Sequence, residues 1–341
     1  MKIAVDGMGG DYAPEEIVKG AVTAAQEYKV AIALVGPHER LKQELAKHDY
    51  TGCDIEIVHT DEYLVEGEPP AYALRKKPNS SILVATKLVK EKKADAVVSA
   101  GPTGGVVASA LYILGTIAGI SRPVVGGAFL DFAPDTIMMD LGSNVDCQPH
   151  QLLDFAVIGT VYAKKIRHIE NPTIALLSIG AEEGKGNDMV KQAYPLFQKC
   201  GLNFIGNVEG YDIPYGRANV IICDGFVGNI VVKFGEALGK TIGSWLDIKL
   251  KEKLPENDIK EIIDYLIFAT NAADARGGGP LWAVDGVACV AHGRCKSNEI
   301  CGVIGQAKLA VEQGMVSTLK AELTAARNKL NDGSISSTIG S

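Results

Sequence analysis

The chain of 341 residues has little of what marks several protein classes. Its net charge is −7, so no broad basic surface for nucleic acid is expected. Its longest apolar run, Gly104 to Ile120, is broken by glycine and ends before Arg122 and Pro123, which favours a buried helix over a membrane span. Seven scattered cysteines, an odd number, argue against a disulfide framework and indicate a reducing, cytoplasmic compartment.

Two common enzyme motifs are also missing. Residues 2–15 predict a strand, a glycine-rich turn and a helix, but the fingerprint G-x-G-x-x-G counted from Gly7 has Tyr12 at its third glycine. Because acidic side chains also flank this turn, we expect no NAD(P), no ATP and no other cofactor. The turn is either a tight turn with Asp11 as a helix cap or a loop for a small ligand. No G-x-S-x-G nucleophile elbow occurs.

One group of cysteines has metal-like spacing. Cys289, His292 and Cys295 are three residues apart, with Cys301 beyond them, and zinc accepts thiolate and imidazole ligands. No second close pair completes a known zinc spacing. Buried, unreactive thiols are therefore the better interpretation, and no metal is expected.

Short apolar runs recur along the chain, and most end in a polar or glycine-rich turn. They are KIAVDG, VAIALVG, DIEIVHT, ADAVVSAG, PVVGGAF, TIMMDLGSN, TIALLSIGAEEG, NFIGNVEG and NVIICDGFVGN. Helical patterns lie between many of them, as in residues 14–28, 80–94, 150–166 and 187–200. This alternation predicts an α/β fold with a doubly wound, mainly parallel sheet. We expect one catalytic domain over residues 1–330 and a flexible tail over residues 331–341.

Polar side chains follow the predicted strands, at the edge where an open parallel sheet binds its ligand. They are Asp6, Ser99, Asp140, Asn144, Glu182, Lys185, Asn187, Asp224 and Asn229. Several precede a glycine and a helix, and the N–H groups at a helix N-terminus favour small anions. Capping explains each turn singly, but five such turns on one edge favour an anion site.

Seven motifs occur in order along nearly the whole chain. They are DGMGGDYAP, RKKPNSS, SAGPTGG, DLGSNVD, GAEEGKGN, DGFVGN and AHGRCKSN. Together they resemble the bacterial phosphate acyltransferase (PlsX) family, the acyl-ACP:phosphate transacylases. The chain departs from the family pattern at Pro102, where asparagine is common, and at Ser143, where alanine is usual.

The resemblance implies a reaction, a fold and partners. Inorganic phosphate would attack the thioester of a long-chain acyl-acyl carrier protein, giving acyl phosphate and free carrier protein, the first step of phospholipid synthesis. The fold would be similar to that of phosphotransacetylases and isopropylmalate dehydrogenases. Family members are homodimers at the membrane periphery, where an acyl-phosphate:glycerol-phosphate acyltransferase takes the product.

Such a reaction needs no activated side-chain nucleophile, because phosphate is itself nucleophilic near neutral pH. The site must hold the dianion and stabilise the oxyanion of the tetrahedral intermediate. We expect the phosphate on turn residues and their N–H groups, namely Ser99, Gly101, Thr103, Gly104, Gly142, Ser143, Asn144 and Asn187. Lys185, in a glycine-flanked loop after a strand, is the expected cation.

Three more residues are candidates for the chemistry. Asp224 either accepts the proton from phosphate or only caps the helix that begins near Asn229. The amide of Asn229 would donate to the thioester oxygen. His292 could protonate the leaving thiolate, although a single histidine before glycine more often has a structural role.

The basic run of Arg75, Lys76 and Lys77 is either a solvated surface or a docking patch for the acidic carrier protein, and Arg75 or Lys76 ranks after Lys185 as the cation of the site. Two other functions compete with the transacylase. A short-chain phosphotransacetylase would use acetyl-coenzyme A, and a non-catalytic carrier-protein or membrane adaptor would depend on basic runs rather than on the turns. The polar content of the turns argues against the adaptor.

Residues 229–270 carry two apolar stripes at helical spacing, which predict a helical hairpin. The stripes are Val231, Phe234, Leu238, Ile242, Trp245 and Leu246, then, after Pro255, Ile259, Ile262, Ile263, Leu266 and Ile267. By resemblance this hairpin builds the dimer contact and reaches the membrane. Each lysine near an anionic membrane surface contributes about 1 kcal/mol, but acids next to Lys249, Lys251 and Lys253 cancel much of that. We expect weak, salt-sensitive membrane contact at most.

Overall fold

The structure, a computed structural model, describes residues 1–65, 67, 75–117, 119–272 and 276–336, with side chains up to residue 328. Its contacts divide the chain into two compact units, Met1–Pro123 with Arg276–Val316 and Val124–Ala275 with Ser317–Ser341. No change of composition marks these boundaries. A single catalytic domain over residues 1–330 stays a prediction.

The first unit contains a mostly parallel sheet. Its strands are β1 (Lys2–Asp6), β2 (Ala31–Gly36), β3 (Ile55–His59), β4 (Ala96–Ser99), β10 (Gly278–Trp282) and β11 (Val287–Ala291). Their order is β3-β2-β1-β4-β11-β10. β10 runs antiparallel to β11, and the other pairs are parallel. In the register of β1 and β4, Val5 pairs with Val98, so Asp6 and Ser99 end the two strands side by side.

Five helices of the described chain belong to this unit. They are α1 (Glu15–Tyr28), α2 (His38–Leu45), α3 (Ser81–Lys90), α4 (Thr103–Ile113) and α9 (Ser297–Glu312). The apolar sides of α1 and α9 pack together, with Ile17, Val18 and Ile304 buried in one core with the strands. A Cβ on Gly20 would lie 2.7 Å from the Cβ of Ile300, so this close approach requires glycine.

The second unit repeats the strand and helix alternation. Its strands are β5 (Val124–Gly127), β6 (Ile137–Met139), β7 (Ile174–Leu177), β8 (Phe204–Val208) and β9 (Val220–Ile222), in the order β5-β6-β9-β7-β8. β5 is antiparallel to β6, and the remaining pairs are parallel. Its helices are α5 (Pro149–Ile166), α6 (Asp188–Lys199), α7 (Gly225–Leu250), α8 (Glu256–Thr270) and most of α10 (Met315–Ser336).

Helices α7 and α8 form the predicted hairpin. Glycines of α7 face α8: a Cβ on Gly239 would overlap the side chain of Thr270, and a Cβ on Gly243 would lie 2.9 Å from Cγ2 of Ile263. The helices therefore approach each other through small residues, and seven larger apolar side chains of α7 are exposed.

Those larger side chains form an exposed stripe, called the α7 stripe below. Its members are Phe226, Ile230, Phe234, Leu238, Ile242, Trp245 and Ile248. Four of them belong to the stripe that the sequence predicts, and Phe234 is 65% exposed. In the part of the chain that the structure describes, no helix is long and apolar enough to cross a bilayer.

All nine predicted strands are present, but other details differ from the predictions. β10 has the sequence GGPLW, and its glycines and proline are untypical of a strand. The apolar run from Gly104 is helical only to Ile113, and Tyr112 is 79% exposed, so a buried helix over the whole run is wrong. α10 continues to Ser336 within the predicted tail, and residues 337–341 lie outside the described residues.

Candidate functional site

The strand order of the first unit creates a switch point. The sheet continues from β1 through β2 to one edge and from β4 through β11 to the other. Ligands of open parallel sheets bind at such a point, outside the carboxyl ends of the strands. The loops after β1, β4 and β11 meet there: the N–H of Asp11 donates to the carbonyl of Gly293 at 2.8 Å.

A chain of hydrogen bonds joins two of these loops. Ser99 Oγ donates to Asp6 Oδ2 at 2.7 Å and accepts from the N–H of Gly101 at 3.0 Å. Asp6 Oδ1 accepts from the N–H of Met8 at 3.2 Å. Burial raises the pKa of the Asp6 carboxyl, and the neighbouring hydroxyls of Ser81 and Ser99, together with backbone N–H groups of the loop after β1, oppose that rise. The hydroxyl of Ser99 and the N–H of Gly101 are thus already engaged, so neither supports direct phosphate binding.

The first turn of α4 offers free donors. Pro102 has no N–H, and its carbonyl accepts from Gly105 and Val106. Among the described residues, the N–H groups of Thr103 and Gly104 have no hydrogen-bond acceptor, and both residues are exposed. Such groups at a helix N-terminus, together with the helix dipole, favour an anion.

The loop after β11 holds His292. His292 is exposed, and its backbone makes two hydrogen bonds. The backbone N–H of His292 donates to the Gly277 carbonyl at 2.9 Å, and the His292 carbonyl accepts from the backbone N–H of Cys295 at 3.0 Å. Cys295 Sγ also donates to Gly277. Burial raises the pKa of Cys289 to about 12. Across the ranges that the structure describes, no three His, Cys, Asp or Glu side chains group as metal ligands.

The predicted docking patch divides in two. Arg75 and Lys76 are exposed, whereas Lys77 is half-buried and its Nζ donates to the carbonyl of Tyr63 at 3.0 Å. Lys77 therefore stabilises its own loop. A docking role for Arg75 and Lys76 stays a prediction.

In the second unit, Asp140 follows β6 and is fully buried. Its Oδ1 accepts from the N–H groups of Gly142 and Ser143 and from Ser143 Oγ, at 2.8, 2.9 and 2.8 Å. Its Oδ2 accepts from the N–H and the side-chain amide of Asn144, at 2.7 and 2.8 Å. The N–H groups of Gly142, Ser143 and Asn144, which the sequence predicts to bind phosphate, thus donate to a carboxylate in this structure. Anion binding by these three residues stays a prediction.

Asp224 and Asn229 lie at the start of α7. Asp224 Oδ1 accepts from the N–H of Val227 at 2.8 Å, so Asp224 caps a helix that begins at Gly225, not near Asn229. Of the two roles left open for Asp224, capping is the one observed. Asn229 is exposed, and a Cβ on Gly142 would lie 3.4 Å from its Oδ1. The turn held by Asp140 is therefore in contact range of Asn229.

The loop between β7 and α6 contains Lys185 and Asn187. Asn187 Oδ1 accepts from the N–H of Val190 at 3.0 Å and caps α6, so its side-chain oxygen has a structural partner. Lys185 is exposed, and its Cγ would lie 2.8 Å from a Cβ on Gly180. The glycine thus leaves room for the lysine stem.

Sequence reasoning missed the organising roles of Asp6 and Asp140. Each is an acid directly after a buried apolar run and before a glycine-bearing turn. An aspartate in that position accepts hydrogen bonds from N–H groups one to four residues later, which is the signal that could have found both.

Comparison with solved structures supports the fold. EutD phosphotransacetylase from Staphylococcus aureus has a TM-score of 0.56 and 17% identity, covering 91% of this chain and 94% of that one. A phosphotransacetylase from Streptococcus pyogenes has a TM-score of 0.56 and 18% identity, covering 94% of each. At such identities the likeness shows the fold alone, and it confirms the predicted phosphotransacetylase-like α/β fold.

Curated relatives are much closer in sequence. The phosphate acyltransferase of Pelotomaculum thermopropionicum is 43% identical over 332 residues, 95% of each chain. That of Dictyoglomus turgidum is 44% identical over 325 residues, 92% of this chain and 94% of its own. The family described as "Fatty acid synthesis protein" matches residues 1–318. The chain therefore belongs to this fatty acid synthesis protein family, the PlsX family that its motifs resemble.

Proposed function

We propose that this chain is a phosphate acyltransferase that moves a long-chain acyl group from acyl-acyl carrier protein to inorganic phosphate. The observation that carries the proposal is the 43% identity to a curated phosphate acyltransferase over 95% of both chains. A phosphate oxygen adds to the thioester carbonyl carbon, the C–S bond breaks, and the thiolate takes up a proton. A membrane acyl-phosphate:glycerol-phosphate acyltransferase then uses the acyl phosphate in phospholipid synthesis.

Within this reaction each unit has its own candidate residues. In the first unit, the free N–H groups of Thr103 and Gly104 bind the phosphate, and His292 protonates the leaving thiolate. In the second unit, Lys185 offsets negative charge and the amide of Asn229 donates to the developing oxyanion. Replacing Asn229 by alanine removes this donor and therefore lowers kcat. Because Asn229 is exposed, the same replacement leaves the melting temperature unchanged.

A basic segment on the first unit is proposed to receive the acidic carrier protein. Residues 75–93 contain one acid, Glu91, and these bases: Arg75, Lys76, Lys77, Lys87, Lys90, Lys92 and Lys93. This is a local reversal of sign in a chain of net charge −7, and it attracts an acidic partner. Arg75→Glu raises the KM for acyl-acyl carrier protein but leaves the KM for phosphate unchanged; an equal KM for the carrier substrate contradicts this docking.

The α7 stripe is proposed to pack against the same stripe of a second copy. Burying one such side chain contributes about 1.5–3 kcal/mol, and a two-fold axis buries each residue twice. Phe234→Glu therefore yields monomers in light scattering, whereas Phe132→Glu, at a residue 53% exposed outside the stripe, leaves the dimer intact. A monomeric wild-type protein in light scattering would contradict the proposed dimer.

Membrane contact is proposed to be weak. Sedimentation with anionic vesicles should show weak binding of the protein that high salt abolishes.

The runner-up function is a short-chain phosphotransacetylase. Its support is the fold likeness alone, at 17% and 18% identity. The two functions separate when a long-chain acyl-acyl carrier protein and acetyl-coenzyme A are offered in turn with phosphate. We expect acyl phosphate from the first substrate and little or none from the second. The reverse preference refutes the long-chain proposal.

A further inference from the structure

We propose that Asp6 and Ser99 are positioning residues of the phosphate site. By tying the loop after β1 to the loop after β4, they fix the start of α4, where the phosphate is proposed to bind. The inference rests on the proposed function, and neither side chain is assigned a contact with substrate.

The hydrogen-bond chain is short and closed to solvent. Asp6 is 3% exposed and Ser99 is 1% exposed. The Ser99 hydroxyl donates its proton to Asp6 Oδ2 and accepts a hydrogen bond from the N–H of Gly101. Because Asp6 also accepts from Met8, one carboxyl anchors the backbone of both loops.

The two loops touch as well as hydrogen-bond. A Cβ on Gly9 would lie 2.6 Å from the Gly101 nitrogen, 2.8 Å from Asp6 Oδ2 and 2.9 Å from Ser99 Oγ. No side chain fits between the loops at this point. A shift of one loop is therefore passed to the other.

The anchored nitrogen is close to the free donors. Gly101 is followed by Pro102, whose ring fixes its own φ and which has no N–H, and then by Thr103 and Gly104. With Gly101 held through Ser99, the chain enters α4 in one direction and presents two N–H groups outside the strand ends. Misplacing a binding group by about 1 Å can reduce an enzymatic rate by about a hundredfold, so such an anchor has a functional effect.

A second buried serine of the same unit, Ser109, has no such role. Ser109 lies within α4 and is 0% exposed, and its Oγ has no hydrogen-bond partner in the part of the chain described here. Ser109→Ala therefore removes a buried hydroxyl without breaking the anchor. It is the matched control for Ser99→Ala.

The test compares steady-state kinetics of full-length Ser99→Ala, Ser109→Ala and wild type with palmitoyl-acyl carrier protein and inorganic phosphate. In Ser99→Ala we expect the KM for phosphate to rise about tenfold, the effect of one buried hydrogen bond, with the KM for the carrier substrate unchanged. Ser109→Ala should match wild type in both constants. Equal phosphate KM values in the two variants, or a parallel rise of both KM values in Ser99→Ala, would overturn the proposal.

A second variant covers the case in which Ser99→Ala does not fold. Asp6→Asn keeps the side-chain size but turns one oxygen into an N–H donor that competes with Gly101 for Ser99 Oγ. Asp6→Asn should raise the KM for phosphate and leave the KM for the carrier substrate unchanged. Where both single variants fold, the double variant should have a phosphate KM no higher than the higher of the two single variants, because both substitutions break the same chain of hydrogen bonds. Additive effects contradict the anchor. A wild-type enzyme that forms no acyl phosphate refutes the proposed function instead.

Discussion

Replacing Asp140 by asparagine should destabilise the protein far more than the same replacement at Asp224. Asp140 is fully buried and accepts five hydrogen bonds, three on Oδ1 and two on Oδ2. Asparagine presents an NH2 group to at least two of those donors. Buried N–H or O–H donors that lose a carboxylate acceptor in this way lower the free energy of unfolding by about 3–5 kcal/mol.

Asp224 provides the matched control. Its Oδ1 accepts one N–H, that of Val227, and asparagine is as good an N-cap as aspartate. Asp224→Asn should therefore change the free energy of unfolding by less than about 1 kcal/mol. Urea denaturation followed by circular dichroism measures both variants under one set of conditions. Equal midpoints for the two variants would refute the account of Asp140 as the group that holds the turn.

The remaining predictions concern exposed and buried side chains. Lys185→Ala should raise the KM for phosphate without changing the melting temperature. Lys191→Ala, at a lysine that is also exposed, should change neither quantity. Equal phosphate KM values for the two variants would exclude Lys185 from the site. Cys289, with its pKa raised by burial to about 12, stays a thiol at mildly alkaline pH, so iodoacetamide should label the half-buried Cys53 and Cys147 first. Mass spectrometry showing native Cys289 labelled equally fast would contradict its burial.

Much of the fold follows from local pattern. The nine apolar runs became strands because each combines β-branched residues with a turn at its end, and the stripes after Asn229 became two helices. The sequence did not predict β10, because Gly278 and Gly279 have low strand propensity. Hydrogen-bonded pairing with β11 makes this segment a strand instead. Tertiary contact, not local sequence, decides such a strand.

The sequence predicts where the candidate site residues lie better than it predicts their hydrogen bonds. The polar residues do follow the strands, as the pattern predicts, whereas their part in a phosphate site stays a prediction. Which donors remain free depends on partners elsewhere in the chain, such as the reach of Ser99 across 93 positions to Asp6. The local pattern of glycines after Asp140 also fits phosphate binding, and only the geometry shows that the carboxylate occupies those N–H groups.

The central claim is that the acyl group passes to phosphate. Its most direct test incubates palmitoyl-acyl carrier protein with the purified enzyme and ¹⁸O-labelled phosphate, and follows carrier and product by mass spectrometry. The account predicts that free carrier protein appears only with phosphate, in step with palmitoyl phosphate that carries the label. Carrier release at the same rate without phosphate, yielding free palmitate, would contradict it.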